Sequence, residues 1–508
     1  MAAAQTVTQV GDGDKGLKAG ALGLLSSVVI GVSSTAPGYS LAATIGFIAA
    51  VVGLQSPAIM VLAFLPMLFI AYAYRELNAV DPDCGTTFTW ATRAFGPRTG
   101  WLGGWAIVVA DVVVMANLAQ IAGSYGFLLF GADGLAASTS WTTLVGALWI
   151  IALTYVCYRG IELSARFQYV MLVVELIALA VFALVALMKV YAGKAAEGAV
   201  HPSLSWFNPF EVPSLSALSA GVLLAVFIYW GWDTAVACNE ETRDATRTPG
   251  RAAIVSTLVL LGIYVLVSVA CQAYAGIDVV ADPANSGDVL AVLGDQVLGS
   301  TFGKVLIIAV LTSAAASTQT TILPTARTTL SMAAHRAIPA SFSRMHPSFQ
   351  TPTVSTIAMG VASVVFFVGL VLVSGNVLAD SIAALGLLIA FYYAMTGYAC
   401  AWRFRSEMRT PHEALVRGVL PLLGAVVLTL CFVKSAHDMY ASDYGETSFA
   451  GVGGVFLLGI GSLVLGVLVM IACEASAPAF FRGHSRTRAA VSGEYSDPDD
   501  ENSVRVSS

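Results

Sequence analysis

A chain of 508 residues with 57% hydrophobic and only 11% charged residues is too apolar to be hidden in a soluble core, because soluble domains carry about 25% charged residues. A water-soluble enzyme or carrier is thereby excluded, and lipid becomes the solvent for the exterior. The net charge of −6 supplies no basic surface for nucleic acid.

The chain opens on a polar, acidic stretch, MAAAQTVTQVGDGDKG. It lacks the basic start and short apolar core of a cleaved signal peptide, so residues 1–19 read as a cytoplasmic tail. Twelve apolar runs follow: 20–53, 55–74, 101–130, 141–158, 167–191, 214–237, 252–275, 303–330, 352–374, 378–402, 415–433 and 451–473. Each suits a helix crossing the bilayer, which takes about 20 apolar residues. The expected fold is an all-α membrane protein of twelve transmembrane helices. A ten-helix core spans 20–402, two peripheral helices span 403–474, and a disordered cytoplasmic tail occupies 475–508.

Charge tests this reading. Lys and Arg concentrate in cytoplasmic loops. With both termini inside, alternation puts 21 of the 25 Lys and Arg residues on the cytoplasmic side. Only Lys189, Lys194, Lys304 and Lys434 fall outside. A missed or invented span would scramble that asymmetry. The seven cysteines show no paired metal-ligand spacing and read as free thiols in apolar surroundings.

Two runs are unlike the rest. The first is too long for one straight crossing and holds Ser33-Ser34-Thr35-Ala36-Pro37-Gly38 near its middle. Proline removes a helix hydrogen bond there. The sixth reads Phe227-Ile228-Tyr229-Trp230-Gly231-Trp232-Asp233-Thr234, a glycine and an acid among bulky residues. Broken helices at corresponding places in two halves point to a midplane binding site. Runs 1 and 6 correspond if runs 1–5 and 6–10 are inverted repeats.

Three stretches resemble the amino acid–polyamine–organocation permeases. The first is Arg75-Glu76-Leu77-Asn78 through Gly85-Thr86-Thr87-Phe88-Thr89-Trp90 to Gly103-Gly104-Trp105. The second is Asn239-Glu240-Glu241-Thr242-Arg243-Asp244 with Thr248-Pro249-Gly250-Arg251. The third is Ala326-Arg327-Thr328-Thr329-Leu330 to Arg336-Ala337-Ile338-Pro339. The resemblance implies a five-plus-five inverted-repeat transport core with two extra helices, and secondary active transport across the cell membrane. At the first break, the small-residue glycine motif common in that family is replaced by Ser34-Thr35-Ala36-Pro37-Gly38. Substrate identity therefore does not carry over.

A broken helix leaves unpaired amides at the start of its second half, where the dipole is positive. The amides of Thr35, Ala36 and Gly38, with the hydroxyls of Ser34 and Thr35, suit a substrate carboxylate. Free carbonyls at Tyr229, Trp230 and Gly231 suit an ammonium. Trp230 and Trp232 offer aromatic faces to a cation, and Asn117 is expected near the distal part of the substrate. Intramembrane acids are costly and mark ion or proton pathways; here they are Asp111, Glu175 and Asp233. Asp111 and Asp233 together would receive a dication.

The resemblance places Glu175 where some permeases carry a lysine in place of a sodium ion. It also likens Thr312 and Ser313 to the hydroxyl pair of sodium-coupled relatives. The coupling ion, H+ or Na+, stays open. His335, His346 and His412 receive no role. No nucleotide-binding loop, metal motif or cofactor signature occurs. The expected partners are a small-molecule amino acid or polyamine, the coupling ion and the lipid bilayer. A non-transporting sensor and an inorganic-cation uptake system on the same fold are the rival readings.

Overall fold

The computed structural model describes residues 15–285, 287–374, 376–445 and 447–483, with the side chains of 161–167 and 300–301 left out. The expected terminal tails fall outside it over 1–14 and 484–508. The described part of the chain is almost wholly helical, as lipid demands, because a helix pairs its own backbone groups. Among the described residues, ten helical stretches are long and apolar enough to cross a membrane: Leu24–Val80, Pro97–Leu129, Thr139–Tyr158, Gln168–Tyr191, Thr248–Ala275, Phe302–Ala334, Thr353–Val373, Val377–Phe404, Pro411–Met439 and Gly454–Ser476. A shorter apolar helix, Leu215–Tyr229, lies among them.

Burial sorts these helices into centre and rim. In Pro97–Leu129 and Phe302–Ala334, 78% of the most apolar window is buried, against 22% in Thr139–Tyr158 and Gly454–Ser476. The rim helices keep apolar faces bare, Leu144, Leu148 and Ile151 on one and Val464, Leu468 and Ile471 on another. Their spacing of three and four residues makes a single stripe, such as a bilayer would cover. All seven cysteines are unpaired.

The first apolar stretch is interrupted as its proline foretells. Leu24–Thr35 ends at Ala36, a non-glycine residue in the left-handed region (φ 47°, ψ 68°), and Pro37–Val52 begins at once with proline in its first position. Proline suits that place because its missing N–H would be unpaired there anyway. Ser56–Val80 follows after one tight turn. The other break separates Leu215–Tyr229 from the short Thr234–Ala237, with Trp230 extended and Gly231 at φ 120°.

Ser56–Val80 packs on Thr248–Ala275 and Pro97–Leu129 on Ser300–Ala334, while nearer the rim Thr139–Tyr158 packs on Thr353–Val373. Pro37–Val52 lies along Leu215–Tyr229, and Leu24–Thr35 touches Thr234–Ala237.

One face of the molecule is tied by charge. Arg327 and Glu241, each about 1% exposed, form a two-pronged pair (Nε–Oε2 2.5 Å, Nη2–Oε1 2.9 Å). The segment before the first helix folds under the same face. Leu22 accepts the Arg243 amide at 2.9 Å and donates to the Glu241 carbonyl at 3.0 Å. Lys15 Nζ reaches Asp83 Oδ2 at 2.9 Å and Glu240 Oε1 at 2.6 Å. Beyond Ser476, Pro478–Phe481 makes one more turn, and Phe480 stacks on Phe88 with ring centroids 5.7 Å apart.

Candidate substrate site

The two breaks meet. A Cβ built on Gly231 would lie 2.8 Å from the Ser34 carbonyl carbon and oxygen, so only a residue without a side chain admits that approach. Hydroxyls stitch the junction together. Ser34 Oγ pairs with Thr234 Oγ1 at 2.8 Å, Ser317 Oγ donates to the Ser34 carbonyl at 3.0 Å, and Ser40 Oγ to the Thr35 carbonyl at 2.6 Å.

Beside the junction lies a narrow cavity of about 20 Å³, roughly the space one water molecule needs. Ser34, Thr35, Trp230, Gly231 and Asp233, all expected at a binding site, line it, and so does Asp111. Tyr39, Ser40, Phe227, Thr234, Ser317, Thr321 and Tyr392 complete much of the wall. An organic molecule could enter only if these walls parted, so the cavity is closed as it stands.

Asp111 and Asp233 come from different parts of the chain yet share this space, and each is held by neutral hydroxyls. Thr325 Oγ1 donates to Asp111 Oδ2. Tyr392 OH donates to Asp233 Oδ2 at 3.1 Å and accepts from Trp230 Nε1. Tyr392 thereby fixes both an acid and an aromatic ring of the wall. The carbonyls of Tyr229 and Trp230 accept no hydrogen bond among the described residues.

Other expected residues lie behind the wall. Trp232 turns away, packing against Tyr74 at 5.1 Å and Tyr393 at 5.3 Å between centroids. Asn117 accepts the Tyr39 hydroxyl and donates to Ser381 Oγ at 3.0 Å. Tyr229 stacks edge-on against Tyr264 at 5.0 Å. The Ala36 amide closes the end of its own half-helix onto the Val32 and Ser33 carbonyls, both at 3.2 Å.

Gly38 has a protein partner. Its amide donates to Glu175 Oε1 at 2.6 Å, and Ser313 Oγ donates to the same oxygen at 2.8 Å. The next amide, Tyr39, donates to Ser313 Oγ at 3.1 Å. Glu175 Oε2 is buried without a partner among the described residues. Thr312, by contrast, turns back to the Ala309 carbonyl of its own helix at 3.0 Å. Of the candidate coupling residues, Glu175 and Ser313 are thus hydrogen-bonded to each other, Thr312 stands apart, and Asp111 lines the cavity.

No sequence signal marks Tyr392, which lies 159 residues from Asp233. Tyr39 and Ser40 had one, being adjacent to the first break. The Asp83 cluster under the site was likewise not anticipated. Burial works against the Lys15 ammonium, but Asp83 and Glu240 overcome it and raise its pKa well above the ordinary lysine range. Burial likewise opposes the Asp83 carboxylate, yet Lys15, with His335 and the Ser331 hydroxyl, holds its pKa below the usual carboxylate range.

Comparison with known proteins agrees with this architecture. The family model described as amino acid permease matches residues 22–436. The chain belongs to that family, whose members are membrane transport proteins rather than enzymes, and it is a multi-pass membrane protein.

It is similar to the branched-chain amino acid permease BcaP of Lactococcus lactis, 26% identical over 237 residues, which is 42% of this chain and 49% of that protein. An uncharacterized transporter of Mycobacterium tuberculosis is 27% identical over 425 residues, 84% of this chain and 89% of its own. The low-affinity putrescine importer PlaP of Escherichia coli is 23% identical over 416 residues, 81% and 88%. The match spans about half of the Lactococcus permease and 65% of the BcaP of Bacillus subtilis.

Proposed function

We propose that this protein is a secondary active transporter that carries amino acids or related organic cations across the cell membrane by alternating access. The observation that carries the reading is the close approach of Gly231 to the Ser34 carbonyl beside a closed, acid-lined cavity. Two helix interruptions meeting at a cavity are the design of a midplane site that opens to either side in turn. Relatives named as a branched-chain amino acid permease and a putrescine importer support the breadth of substrate.

Twelve crossings support the same picture. Leu24–Val80 holds two crossings joined by one turn, and Leu215–Tyr229 with Thr234–Ala237 makes a broken one. Helices five crossings apart pack together for the first four such pairs, which an inverted repeat would account for. With the charge asymmetry, this supports a topology with both termini in the cytoplasm.

Glu175 is the group we assign to coupling. It is buried, held by neutral donors, and paired with no Lys or Arg among the described residues, so a proton is the simplest ion for it to carry. Uptake into proteoliposomes tests both points. Glu175→Gln should abolish uptake driven by an inward proton gradient while sparing exchange of substrate for substrate. Uptake in that variant at the wild-type rate moves the coupling role elsewhere. No uptake or exchange of any amine or amino acid by the wild-type protein rejects the transport reading.

A further inference from the structure

The groups around the breaks do not balance the two charges of an amino acid. On the donor side, the first turn of Pro37–Val52 has no amide left for a ligand. Pro37 has none to give, Gly38 donates to Glu175, Tyr39 to Ser313 Oγ, and Ser40 to the Ala36 carbonyl at 2.8 Å. Among the described residues, no Lys or Arg lines the cavity. On the acceptor side stand two carboxylates, Asp111 and Asp233, held by hydroxyls and not by cations. The Tyr229 and Trp230 carbonyls add further acceptors.

We infer that the substrate is an organic cation lacking a carboxylate, with two ammonium groups in its simplest form; the inference rests on the cavity being the substrate site. The protein's own carboxylate, Glu175, already occupies the amide that a substrate carboxylate would use. An amino acid must displace it, and must also bring a second negative charge toward Asp111 and Asp233. Neither step is compensated in a space with no cation, since a buried charge needs a partner. The second break offers no refuge, because its own Asp233 repels an anion there. A diamine meets the opposite situation: each ammonium finds a carboxylate and neutral acceptors, and charge-assisted hydrogen bonds are the strong ones.

Matched pairs that differ only in a carboxylate test this on the purified full-length protein, by calorimetry and thermal shift. The probes are 1,4-diaminobutane against ornithine, and 3-methylbutylamine against leucine. We expect 1,4-diaminobutane to bind about tenfold or more tighter than ornithine, and Asp111→Asn and Asp233→Asn each to weaken it by about tenfold or more. Ornithine or leucine binding as tightly as its amine overturns the inference and leaves the transport reading intact. Binding by no member of either pair, with the protein folded by circular dichroism, rejects the cavity as the substrate site and the inference with it.

A second pair of variants keeps the logic independent of Asp111 and Asp233. Glu175→Ala vacates the Gly38 amide and should give ornithine about a tenfold gain in binding. Glu175→Gln, whose side-chain carbonyl still accepts from Gly38, should give none. The same ornithine affinity in both variants overturns the inference.

Discussion

Asp83 Oδ2 lies 2.9 Å from Lys15 Nζ, so the segment before the first helix is fastened to the connection between Ser56–Val80 and Thr87–Phe95. Cys84 Sγ, 3.5 Å from the same ammonium, is sealed beneath it. Removing Lys15 leaves Asp83 and Glu240 buried without their cation. Lys15→Met should cost about 3 kcal/mol of stability and speed alkylation of Cys84 in a chain whose other cysteines are alanine. In the variant, mild acid should recover part of the thermal midpoint, because protonation removes the unpaired charge. The wild type should show no such recovery from this cluster. Its Asp83 pKa is depressed, so that carboxylate's contribution is present above the usual carboxylate range and is lost as pH falls through the lowered value.

Asp81 behaves in the opposite sense. Burial raises its pKa to about 6 despite the Arg93 guanidinium 2.5 Å away. The folded protein therefore holds this proton more tightly than the unfolded chain. Its contribution to stability is greatest at low pH and declines as pH rises from about 4 to about 6. Asp81→Asn should flatten that part of the melting-temperature profile; an unchanged slope places the titration elsewhere.

The two glycines at the breaks should differ in tolerance. Gly231→Ala puts a Cβ 2.8 Å from the Ser34 carbonyl, at a φ of 120° that side chains resist. It should abolish ligand binding. Gly38→Ala puts its Cβ in ordinary contact, 3.4 Å from Glu175 Oε1, and should be nearly silent. Gly38→Val adds methyl groups against that carboxylate and should disturb coupling. Equal loss in Gly231→Ala and Gly38→Ala would mean that both glycines serve only helix packing.

Tyr392→Phe cuts the link from Trp230 Nε1 to Asp233. Substrate affinity should fall by about tenfold, roughly 1.4 kcal/mol, with quenching of tryptophan fluorescence by substrate altered as well. A changed melting temperature with unchanged affinity and fluorescence would reduce Tyr392 to a structural role.

The charge asymmetry predicts which loops face outward. Single cysteines at Asp133 or Asp282 should react with an impermeant maleimide on intact cells, and those at Arg243 or Arg409 only after lysis. Labelling of Arg243→Cys from outside reverses the orientation.

The interrupted helices were legible because proline and glycine act on the backbone wherever they stand, and Pro37 and Gly231 sit in otherwise apolar runs. Intramembrane acids were equally conspicuous, since lipid makes each one costly. What those acids touch was not legible. Glu175 meets Gly38 across 137 residues, and nothing local distinguishes Tyr392 from the other aromatic residues of its helix. The orientation of Trp232 was hidden for the same reason, because a helix break decides which neighbouring ring faces the opening. Lys15 lay in a polar stretch whose composition gave no hint of burial.

The Glu241–Arg327 pair bears on how the chain is made. Its partners are 86 residues apart in sequence, and ribosomes add about 5–20 residues per second. For roughly 4–17 seconds during synthesis, Glu241 therefore has to wait, already beside the membrane, for a guanidinium not yet translated. During that interval the broken helix Leu215–Tyr229 and Thr234–Ala237 lacks the anchor beyond its end, so insertion of Ser300–Ala334 is expected to lock it. A ribosome stalled between these two points should leave a nascent chain whose Glu241 region is cut readily by protease. One stalled after Ala334 has cleared the insertion machinery should leave it resistant.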